Sequence, residues 1–420
     1  MEVIANYGTT LVLVAAFFGF IMAWGIGAND VANAMGTSVG SGVLTIRKAV
    51  IIAMIFEFTG AYLAGGEVTN TVRKGIIDPA LFSHEPHLLV YGMISALLAA
   101  GFWLLIASYQ GWPVSTTHSI IGAIIGFACV SVGPDSVEWS QISSIVGSWI
   151  ITPIIAGVIS YLLFTSAQLL IFNHSNPIVA AKRYVPGYMF LAGLVLSLVT
   201  IKKGLSHVGL HLGPVEGYLL AILIGLIIAV IGRLVINRLH IDPHADKQMH
   251  YTNVEKIFAI LMVMTACCMA FAHGSNDVAN AIGPLAAVVS VISHHGIIEP
   301  KAQLAWWILP LGGLGIVAGL AILGHHVIAT VGKGITHLTP SRGFAAELSA
   351  ASTVVIASGT GLPISTTQTL VGAILGVGMA RGIGALNLGI IRKIVISWVI
   401  TLPAGAIFAI IFYYILKACF

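Results

Sequence analysis

Long apolar stretches recur along this chain from residue 9 to its C-terminus, and they limit its fold more than any other feature. A helix of about 20 apolar residues crosses the hydrocarbon of a bilayer. Only 8% of the 420 residues are charged, too few to cover a soluble globule of this size. The alternating pattern of outer-membrane barrels is absent from the sequence. The sequence therefore predicts an all-α polytopic membrane protein.

Hydropathy divides the chain into eight full spans and two interrupted apolar regions. The spans fall near residues 9–35, 49–66, 142–172, 188–201, 215–236, 257–289, 304–328 and 393–416. The interrupted regions, 88–131 and 344–380, each contain a polar Pro-x-Ser-Thr-Thr segment in the middle. We interpret both regions as re-entrant hairpins whose tips stop inside the membrane, which gives about 12 membrane segments.

Three motifs occur twice at nearly the same offset, which indicates an internal duplication. The pairs, at offsets of 247, 250 and 249 residues, are Asn29–Ala34 with Asn276–Ala281, Pro113–Thr117 with Pro363–Thr367, and Ser148-Trp149 with Ser397-Trp398. If both hairpins return to the side they enter from, four full spans separate the two Asn-Asp motifs. The copies then point in opposite directions, as in the inverted repeats of secondary transporters.

This duplication sets the predicted domain organisation. Residues 1–172 form the first repeat, residues 173–256 form the linking spans with a cytoplasmic loop, and residues 257–420 form the second repeat. Each repeat is expected to hold one span broken at its Asn-Asp motif and one hairpin. If the hairpins crossed the membrane unequally, the copies would be parallel and the inversion would fail.

The basic residues divide unequally between the two sides of this topology. Thirteen fall on one side: Arg47, Lys48, Lys182, Arg183, Arg233, Arg238, Lys247, Lys256, Lys333, Arg342, Arg381, Arg392 and Lys393. Six fall on the other: Arg73, Lys74, Lys202, Lys203, Lys301 and Lys417. Because basic loops stay in the cytoplasm, we place both termini outside. A net charge of +4 without a basic cluster argues against nucleic-acid binding.

Four acidic residues lie inside the predicted membrane segments: Asp30, Glu57, Asp277 and Glu347. No Lys or Arg lies in those segments to pair with them, and each buried carboxylate costs about 2.5–3.5 kcal/mol at the bilayer centre. The economical interpretation is that the positive charge arrives from solution as Na⁺ or H⁺. For Glu57 a purely structural role stays open.

Glycines flank both Asn-Asp pairs, among them Gly25, Gly27, Gly36, Gly274 and Gly283. Glycine weakens a helix, so we expect the backbone to unwind there and to offer carbonyl oxygens to a small hard cation. Close packing of helices is the alternative, and it explains the glycines but not the aspartates.

The Pro-x-Ser-Thr-Thr segments are expected to attract negative charge, in contrast to the aspartates of the Asn-Asp motifs, which attract cations. In each, the proline is expected to open a helix, and a serine or threonine is expected to cap its N-terminus. Two such N-termini facing each other across a pseudo-two-fold axis would present N–H groups, hydroxyls and positive dipole ends to an oxyanion. Simple N-capping is the alternative for each tip taken alone.

At these residues the chain resembles the inorganic phosphate transporter family. The resemblance covers essentially all 420 residues and is carried by Gly27–Ala34, Phe56–Gly60, Val72–Asp78, Gly274–Asn280, Glu347-Leu348 and both Pro-x-Ser-Thr-Thr segments. It implies import of inorganic phosphate by symport with a cation through an inverted-repeat homodimer. It implies no cofactor beyond the coupling ion. The short loop at 237–256 favours a bacterial protein of the inner membrane.

The resemblance also implies roles for individual residues. Asp30 and Asp277 correspond to cation-site and coupling residues, with Na⁺ as the metal, while Glu57 and Glu347 match positions needed for transport. Phosphate or cation contacts are implied for Asn29, Asn276, Ser115, Thr116, Thr117, Ser365, Thr366 and Thr367. The Ala-Asn-Asp and Ser-Asn-Asp sequences are more similar to the sodium-coupled branch of the family than to the proton-coupled one.

The two halves of this site are not identical. Glu57 aligns with Leu304 or Ile316, and Glu347 aligns with Leu97, so these acids are not repeat mates.

Other functions stay open at this point. A proton-coupled phosphate carrier or a sulfate permease fits the same residues, because helix N-termini sense the charge of an oxyanion better than its central atom. An anion channel fits the unpaired acids less well. No nucleophile–base pair or metal cluster in the sequence supports an enzyme such as a phosphatase.

Overall fold

Nearly all of the described residues are helical in the computed structural model, which describes residues 2–201, 213–239, 252–298, 304–334, 337–382 and 387–420. Thirteen α-helices are described within these ranges, and no strand: α1 Glu2–Gly40, α2 Ile46–Ala64, α3 Gly66–Lys74, α4 Pro86–Tyr109, α5 Thr116–Ser131, α6 Trp139–Ala167, α7 Pro177–Val199, α8 Pro214–Asn237, α9 Thr252–Ser293, α10 Ile308–Gly334, α11 Pro340–Gly359, α12 Thr366–Arg381 and α13 Leu388–Cys419.

Seven of these helices are long and apolar enough to cross a membrane: α1, α4, α6, α8, α9, α10 and α13. The predicted all-α polytopic class is therefore confirmed. Helix α7 begins at Pro177, eleven residues before the span predicted at 188–201, because Lys182 and Arg183 in its second turn lower the hydropathy of its first part. The predicted loop residues Lys202, Lys203, Lys247 and Lys301 lie outside the described residues.

The helices that carry the two Asn-Asp motifs, α1 and α9, pack against each other in opposite directions. Near the start of α1, Gly8 packs against Ile292 at the end of α9. Just beyond the end of α1, the Ser41 hydroxyl lies 3.2 Å from the sulfur of Met262, near the start of α9. Because the repeat mates run antiparallel, the two copies are inverted, as the sequence predicts.

Both helices are continuous through their Asn-Asp motifs, so the expected break in each span is wrong. The neighbouring glycines serve close packing instead. A Cβ on Gly27 would overlap the carbonyl oxygen of Ile316 on α10, and a Cβ on Gly274 would overlap the carbonyl oxygen of Glu57 on α2. Helix backbones can approach this closely only where the side chain is a hydrogen atom.

This packing predicts a strong position dependence for alanine substitutions. Gly274→Ala forces α9 away from α2 and is expected to lower the thermal midpoint of the purified protein by about 5–10 °C, since overpacking costs about 1–3 kcal/mol or more. Gly147→Ala on α6 is the matched control, because nothing lies within 4 Å of its added Cβ. A differential scanning fluorimetry trace with equal midpoints for the two variants would contradict this packing.

Both interrupted regions are hairpins. Helices α4 and α5 form the first, and α11 and α12 form the second, each joined by a short tip that contains the Pro-x-Ser-Thr-Thr segment. The tips contact each other directly: the Thr117 hydroxyl donates to the Ile364 carbonyl at 3.0 Å, and the Thr367 hydroxyl donates to the Val114 carbonyl at 3.3 Å. The two tips therefore meet inside the protein, which is the arrangement expected of re-entrant hairpins.

The outer helices α13 and α6 support the hairpins from behind through equivalent contacts. A Cβ on Gly122 of α5 would overlap the carbonyl oxygen of Leu402 on α13. Its repeat mate Gly372 on α12 is packed in the same way against Pro153 on α6. The duplicated glycines therefore place each tip by helix-to-helix contact.

Two hydrophobic clusters lie on either side of the tips. Along α1, residues 4–26 belong to one cluster and residues 31–35 to the other, while along α9 residues 254–272 and 278–291 divide in the reverse order. The polar segments that separate them contain Asn29-Asp30 on α1 and His273–Asp277 on α9. These segments form one buried polar layer between two apolar regions, and the candidate functional site lies there.

Candidate functional site

The two motif aspartates are buried at the centre of the polar layer with a histidine between them. The Nε2 atom of His273 lies 2.9 Å from a carboxylate oxygen of Asp277 and 3.9 Å from one of Asp30. Each of the three residues offers one ligand atom, and these atoms all lie within 4.8 Å of one another. The structure therefore brings together the two aspartates that the sequence singled out.

A third carboxylate, that of Glu57 on α2, faces the other side of the same imidazole. Its Oε1 atom lies 3.2 Å from His273 Nδ1, and both residues are fully buried. Neither carboxylate oxygen of Glu57 makes a well-aligned hydrogen bond with the described part of the chain. A buried carboxylate without hydrogen bonds is costly, so this arrangement favours a positive charge close to Glu57.

His273 was not among the residues selected from the sequence. No Lys or Arg pairs with these acids among the described ion pairs, but the imidazole of His273 lies beside Asp30, Glu57 and Asp277. His273 precedes Asp277 by four residues on one helix, so the spacing places both side chains on the same face. This four-residue spacing is the feature of the sequence that could have identified His273.

The tip threonines bind the aspartates in a two-fold pattern. The Thr116 hydroxyl of the first tip donates to Asp30 at 2.8 Å, and the Thr366 hydroxyl of the second tip donates to Asp277 at 2.7 Å. The Thr367 hydroxyl also lies 3.4 Å from the other Asp30 oxygen. Each tip is therefore held to the aspartate of its own repeat, and the second tip also contacts the aspartate of the first.

The side chains of the motif asparagines hold the tips through hydrogen bonds to the tip backbone. Asn29 donates to the Trp112 carbonyl at 2.9 Å, and its side-chain oxygen accepts from the Val114 amide at 3.3 Å. Asn276 donates to the Ile364 carbonyl at 3.0 Å and accepts from the Ser358 hydroxyl at 3.0 Å. These contacts use the amide groups of both asparagines to position the tips.

A second pair of asparagines links each motif to the opposite tip. Asn33 donates to the Thr367 hydroxyl at 2.8 Å, and Asn280 donates to the Thr117 hydroxyl at 3.1 Å. Asn33 and Asn280 belong to the duplicated motif, but neither is among the site residues predicted from the sequence. Their position one turn beyond each Asn-Asp pair on the same helix face indicates this contact.

Ser115 and Ser365 are the N-cap residues of α5 and α12. Their side-chain oxygens accept from the amides of His118 and Gln368, at 3.2 and 3.3 Å respectively. The sequence predicts that each tip proline occupies the first helical position. The structure differs, because both prolines lie two residues before the N-cap serine. Both helices therefore begin at the tip contact with their positive dipole ends toward the aspartates.

Glu347 lies apart from the central aspartates. Its carboxylate accepts hydrogen bonds from Thr37, Ser38 and Thr265, the last two at 2.7 Å. Thr37 follows Asp30 by seven residues on α1, about 10 Å along the helix axis, so Glu347 forms a second polar site toward the end of α1. This carboxylate is fully hydrogen-bonded, unlike that of Glu57.

The acids outside the motifs make the site asymmetric. Gly27 packs on the carbonyl of Ile316 as its mate Gly274 packs on that of Glu57, so Ile316 occupies the position of Glu57 in the other repeat. This selects Ile316 over Leu304, the other position that the sequence allows. The mate of Glu347 is Leu97, which is buried among apolar residues. The backbone scaffold is two-fold, but its charges are not.

Comparisons with known proteins agree with this architecture. The model of the phosphate transporter family matches residues 26–409. A Haemophilus influenzae protein named "Putative phosphate permease" is 59% identical over the full length of both chains. The chloroplastic inorganic phosphate transporter 2-1 of Arabidopsis thaliana is 44% identical, over 95% of this chain and 71% of the plant protein. A solved structure described as "The sodium-dependent phosphate transporter" is 41% identical, with a TM-score of 0.90 over 98% of this chain and all of that chain.

Proposed function

The chain belongs to the phosphate transporter family and is a multi-pass membrane transporter rather than an enzyme, and from this premise we propose that it imports inorganic phosphate by symport with Na⁺. The observation that carries the proposal is the meeting of two helix N-termini with a cluster of three carboxylates in one buried layer. Helix N-termini attract an oxyanion, and carboxylates attract a cation. The two ligands would therefore bind side by side.

Sodium is favoured by the chemistry of the donors. Asp30, Glu57 and Asp277 supply carboxylate oxygens, and the tip threonines supply hydroxyl oxygens, which suit a small hard cation. The sodium-dependent protein of the solved structure has the same fold. In this proposal Na⁺ is a transported substrate and not a resident cofactor.

The charges impose an order on binding. The three carboxylates carry a formal charge of −3, which a single imidazole cannot balance in either protonation state, and two unit charges about 4 Å apart repel by about 4 kcal/mol near a protein surface. A phosphate anion is therefore repelled from the tips until cations neutralise the carboxylates. Binding of cations before phosphate is the physical basis of coupling.

Phosphate is expected to bind where the tips meet. The N-cap serines accept from the amides of His118 and Gln368, which leaves the first two amides of α5 and α12 without a partner in their own helices. The hydroxyls of Thr117 and Thr367 lie at the tip contact. No Lys or Arg takes part in the described contacts of this layer. A site built from neutral donors releases its anion more readily than a bidentate arginine clamp would.

The inverted repeats support alternating access. The first hairpin has its open end on one face of the protein and the second has its open end on the other, and the bound ligands lie between the tips. Tyr7 and Phe420 pack ring against ring at 5.6 Å, so both ends of the chain lie on one face. We place that face outside a bacterial inner membrane, by the distribution of basic residues, and we expect a homodimer.

The test of this function is phosphate uptake into proteoliposomes under an imposed gradient. An inward Na⁺ gradient without a pH gradient is expected to drive accumulation of radiolabelled phosphate above the external concentration. His273 favours proton coupling as the second candidate, because its imidazole can carry a proton between carboxylates. Accumulation of phosphate under a pH gradient alone would show that the coupling ion is H⁺ and not Na⁺. Uptake that only equilibrates would indicate a channel, and equal competition by sulfate would indicate a broader anion permease.

A further inference from the structure

Two arginines converge at the open end of the second hairpin, far from the central site. Arg342 lies in the first turn of α11 and Arg381 lies in the last turn of α12. Their Nη1 atoms donate to the same acceptor, the His337 carbonyl, at 3.0 and 3.4 Å. Two guanidinium groups that share one carbonyl repel each other, and an anion bound between them would remove that repulsion.

The nearby carboxylate of Glu255 offsets part of the charge of Arg342, but its oxygens are bound elsewhere. Glu255, in the first turn of α9, accepts from the amide of Ser341 at 2.8 Å and from its hydroxyl at 2.7 Å. Both of its oxygens are therefore engaged at the N-terminus of α11. The Nε atom of the half-buried Arg342 is buried and has no hydrogen-bond acceptor, which leaves a charged donor for a ligand.

The position of the pair indicates what it can meet. Arg381 follows Thr366 by 15 residues on α12, which is about 22 Å along the helix axis. Since the tips lie in the central polar layer, this distance places the arginines at the depth of lipid phosphates, about 15–22 Å from the membrane centre. The pair is on the face of the protein that holds most of the basic residues.

The first hairpin has no such pair. At the offset of 250 residues, the mates of Arg342 and Arg381 are Gly92 and Ser131. The two-fold architecture therefore does not require arginines at the open end of a hairpin. Their presence at one end alone favours a function on the cytoplasmic side.

We propose that Arg342 and Arg381 form a binding site for a phosphate group at the cytoplasmic end of the second hairpin. Arginine pairs bind phosphate oxygens through parallel, charge-assisted hydrogen bonds. The phosphate group comes either from an anionic lipid headgroup or from inorganic phosphate in the cytoplasm. Bound there, it neutralises the like charges that meet at the open end of α11 and α12.

The experiment uses the full-length protein and three variants, Arg342→Gln, Arg381→Gln and the control Arg392→Gln, which removes an exposed positive charge from α13. In the lipid arm, native mass spectrometry counts phosphatidylglycerol retained from an equal mixture with phosphatidylcholine. In the phosphate arm, equilibrium dialysis in nanodiscs of neutral lipid counts inorganic phosphate bound per chain. Each hairpin variant is expected to lose about tenfold in one arm, as expected for a lost charge-assisted pair.

Each outcome decides a point. Loss of phosphatidylglycerol alone identifies a lipid headgroup site, and loss of a second, weaker phosphate alone identifies a site for free phosphate; both support the proposal. Equal retention by the wild type and both hairpin variants in both arms overturns it, as does an equal loss in Arg392→Gln. Arg381 is exposed, so the Arg381→Gln variant is expected to fold. Arg381→Lys keeps the positive charge but loses the planar guanidinium that binds two phosphate oxygens at once, and it is expected to recover part of the loss.

Discussion

The Asp30→Asn and Asp277→Asn variants are each expected to lose at least about 100-fold in Na⁺-driven phosphate uptake. Removing one partner of a buried charge pair costs about 3–5 kcal/mol, and about 1.4 kcal/mol changes an equilibrium tenfold. The amide oxygen of asparagine can still accept from Thr116 or Thr366, so the tips are expected to stay in place. The loss therefore reports the charge and not the fold.

Asp135→Asn is the matched control, because Asp135 is exposed and lies in the short 3₁₀ helix after α5. This variant is expected to transport like the wild type. Size-exclusion profiles and thermal midpoints in Na⁺-free buffer would verify that all three variants fold. Near-normal Na⁺-driven uptake by either folded motif variant would refute the proposed role of the aspartates.

His273→Ala is expected to have the second large effect, on stability as well as on transport. Without the imidazole, the group that separates the three buried carboxylates is lost, and only the donors to Asp30 and Asp277 remain. We expect the thermal midpoint in choline buffer to fall by about 5–10 °C, since leaving a buried charge unpaired costs several kcal/mol. Uptake is expected to fall at least about tenfold, because one donor no longer orients the carboxylates.

The same variant predicts a particular response to sodium. A bound cation can stand between the carboxylates in place of the imidazole, so Na⁺ is expected to raise the midpoint of His273→Ala by more than that of the wild type. His84→Ala, in an exposed loop, is the control and should respond like the wild type. A midpoint for His273→Ala that matches the wild type, with or without Na⁺, would show that the imidazole does not balance the carboxylates.

The sequence was most informative where a feature occurs twice. The duplicated Asn-Asp motifs, the Pro-x-Ser-Thr-Thr tips and the glycines behind them predicted the inverted halves and the hairpins, because each copy constrains the other. The tip contacts follow the same rule, since Thr117 binds the carbonyl of Ile364 as Thr367 binds that of Val114. Repetition within one chain supplied information that a single motif lacks.

The sequence was least informative where a contact joins distant residues without a repeat mate. The hydroxyls around Glu347 come from α1 and α9, 82 to 310 residues away along the chain. No local pattern marks Thr37 or Thr265 as partners of an acid on α11. His273 was missed for a different reason, since most histidines of this chain fall in polar connections and a buried one resembles them in composition.

The glycines show how one pattern supports two structures. A glycine beside a functional aspartate favours either an unwound helix or a close helix crossing, and sequence periodicity cannot separate the two. The close contact of Gly274 with the Glu57 carbonyl oxygen shows that this glycine serves a helix crossing. The packing energy of that crossing exists only with the partner helix α2 in place, so the sequence of α9 alone does not reveal it. Tertiary contact therefore keeps α9 helical through its motif.

The asymmetry of charge within a symmetric backbone has a consequence for transport. The two-fold contacts of the tips give both halves the same positioning machinery, whereas Glu57 and Glu347 have the apolar mates Ile316 and Leu97. An inverted repeat can exchange the conformations of its halves to open each side in turn. Each half therefore carries one acid without a mate, so the two conformations would hold cations differently, while the ion gradient sets the direction of net transport.

Paired flux of radiolabelled sodium and radiolabelled phosphate in the same proteoliposomes tests the central claim most directly. If the carboxylate cluster and the hairpin tips form one coupled site, each ion should require the other: phosphate entry needs Na⁺, and the matching Na⁺ entry needs phosphate. Asp30→Asn should abolish both fluxes together, and Asp135→Asn should leave both intact. Phosphate entry at an unchanged rate without Na⁺, or sodium entry that ignores phosphate, would contradict the account.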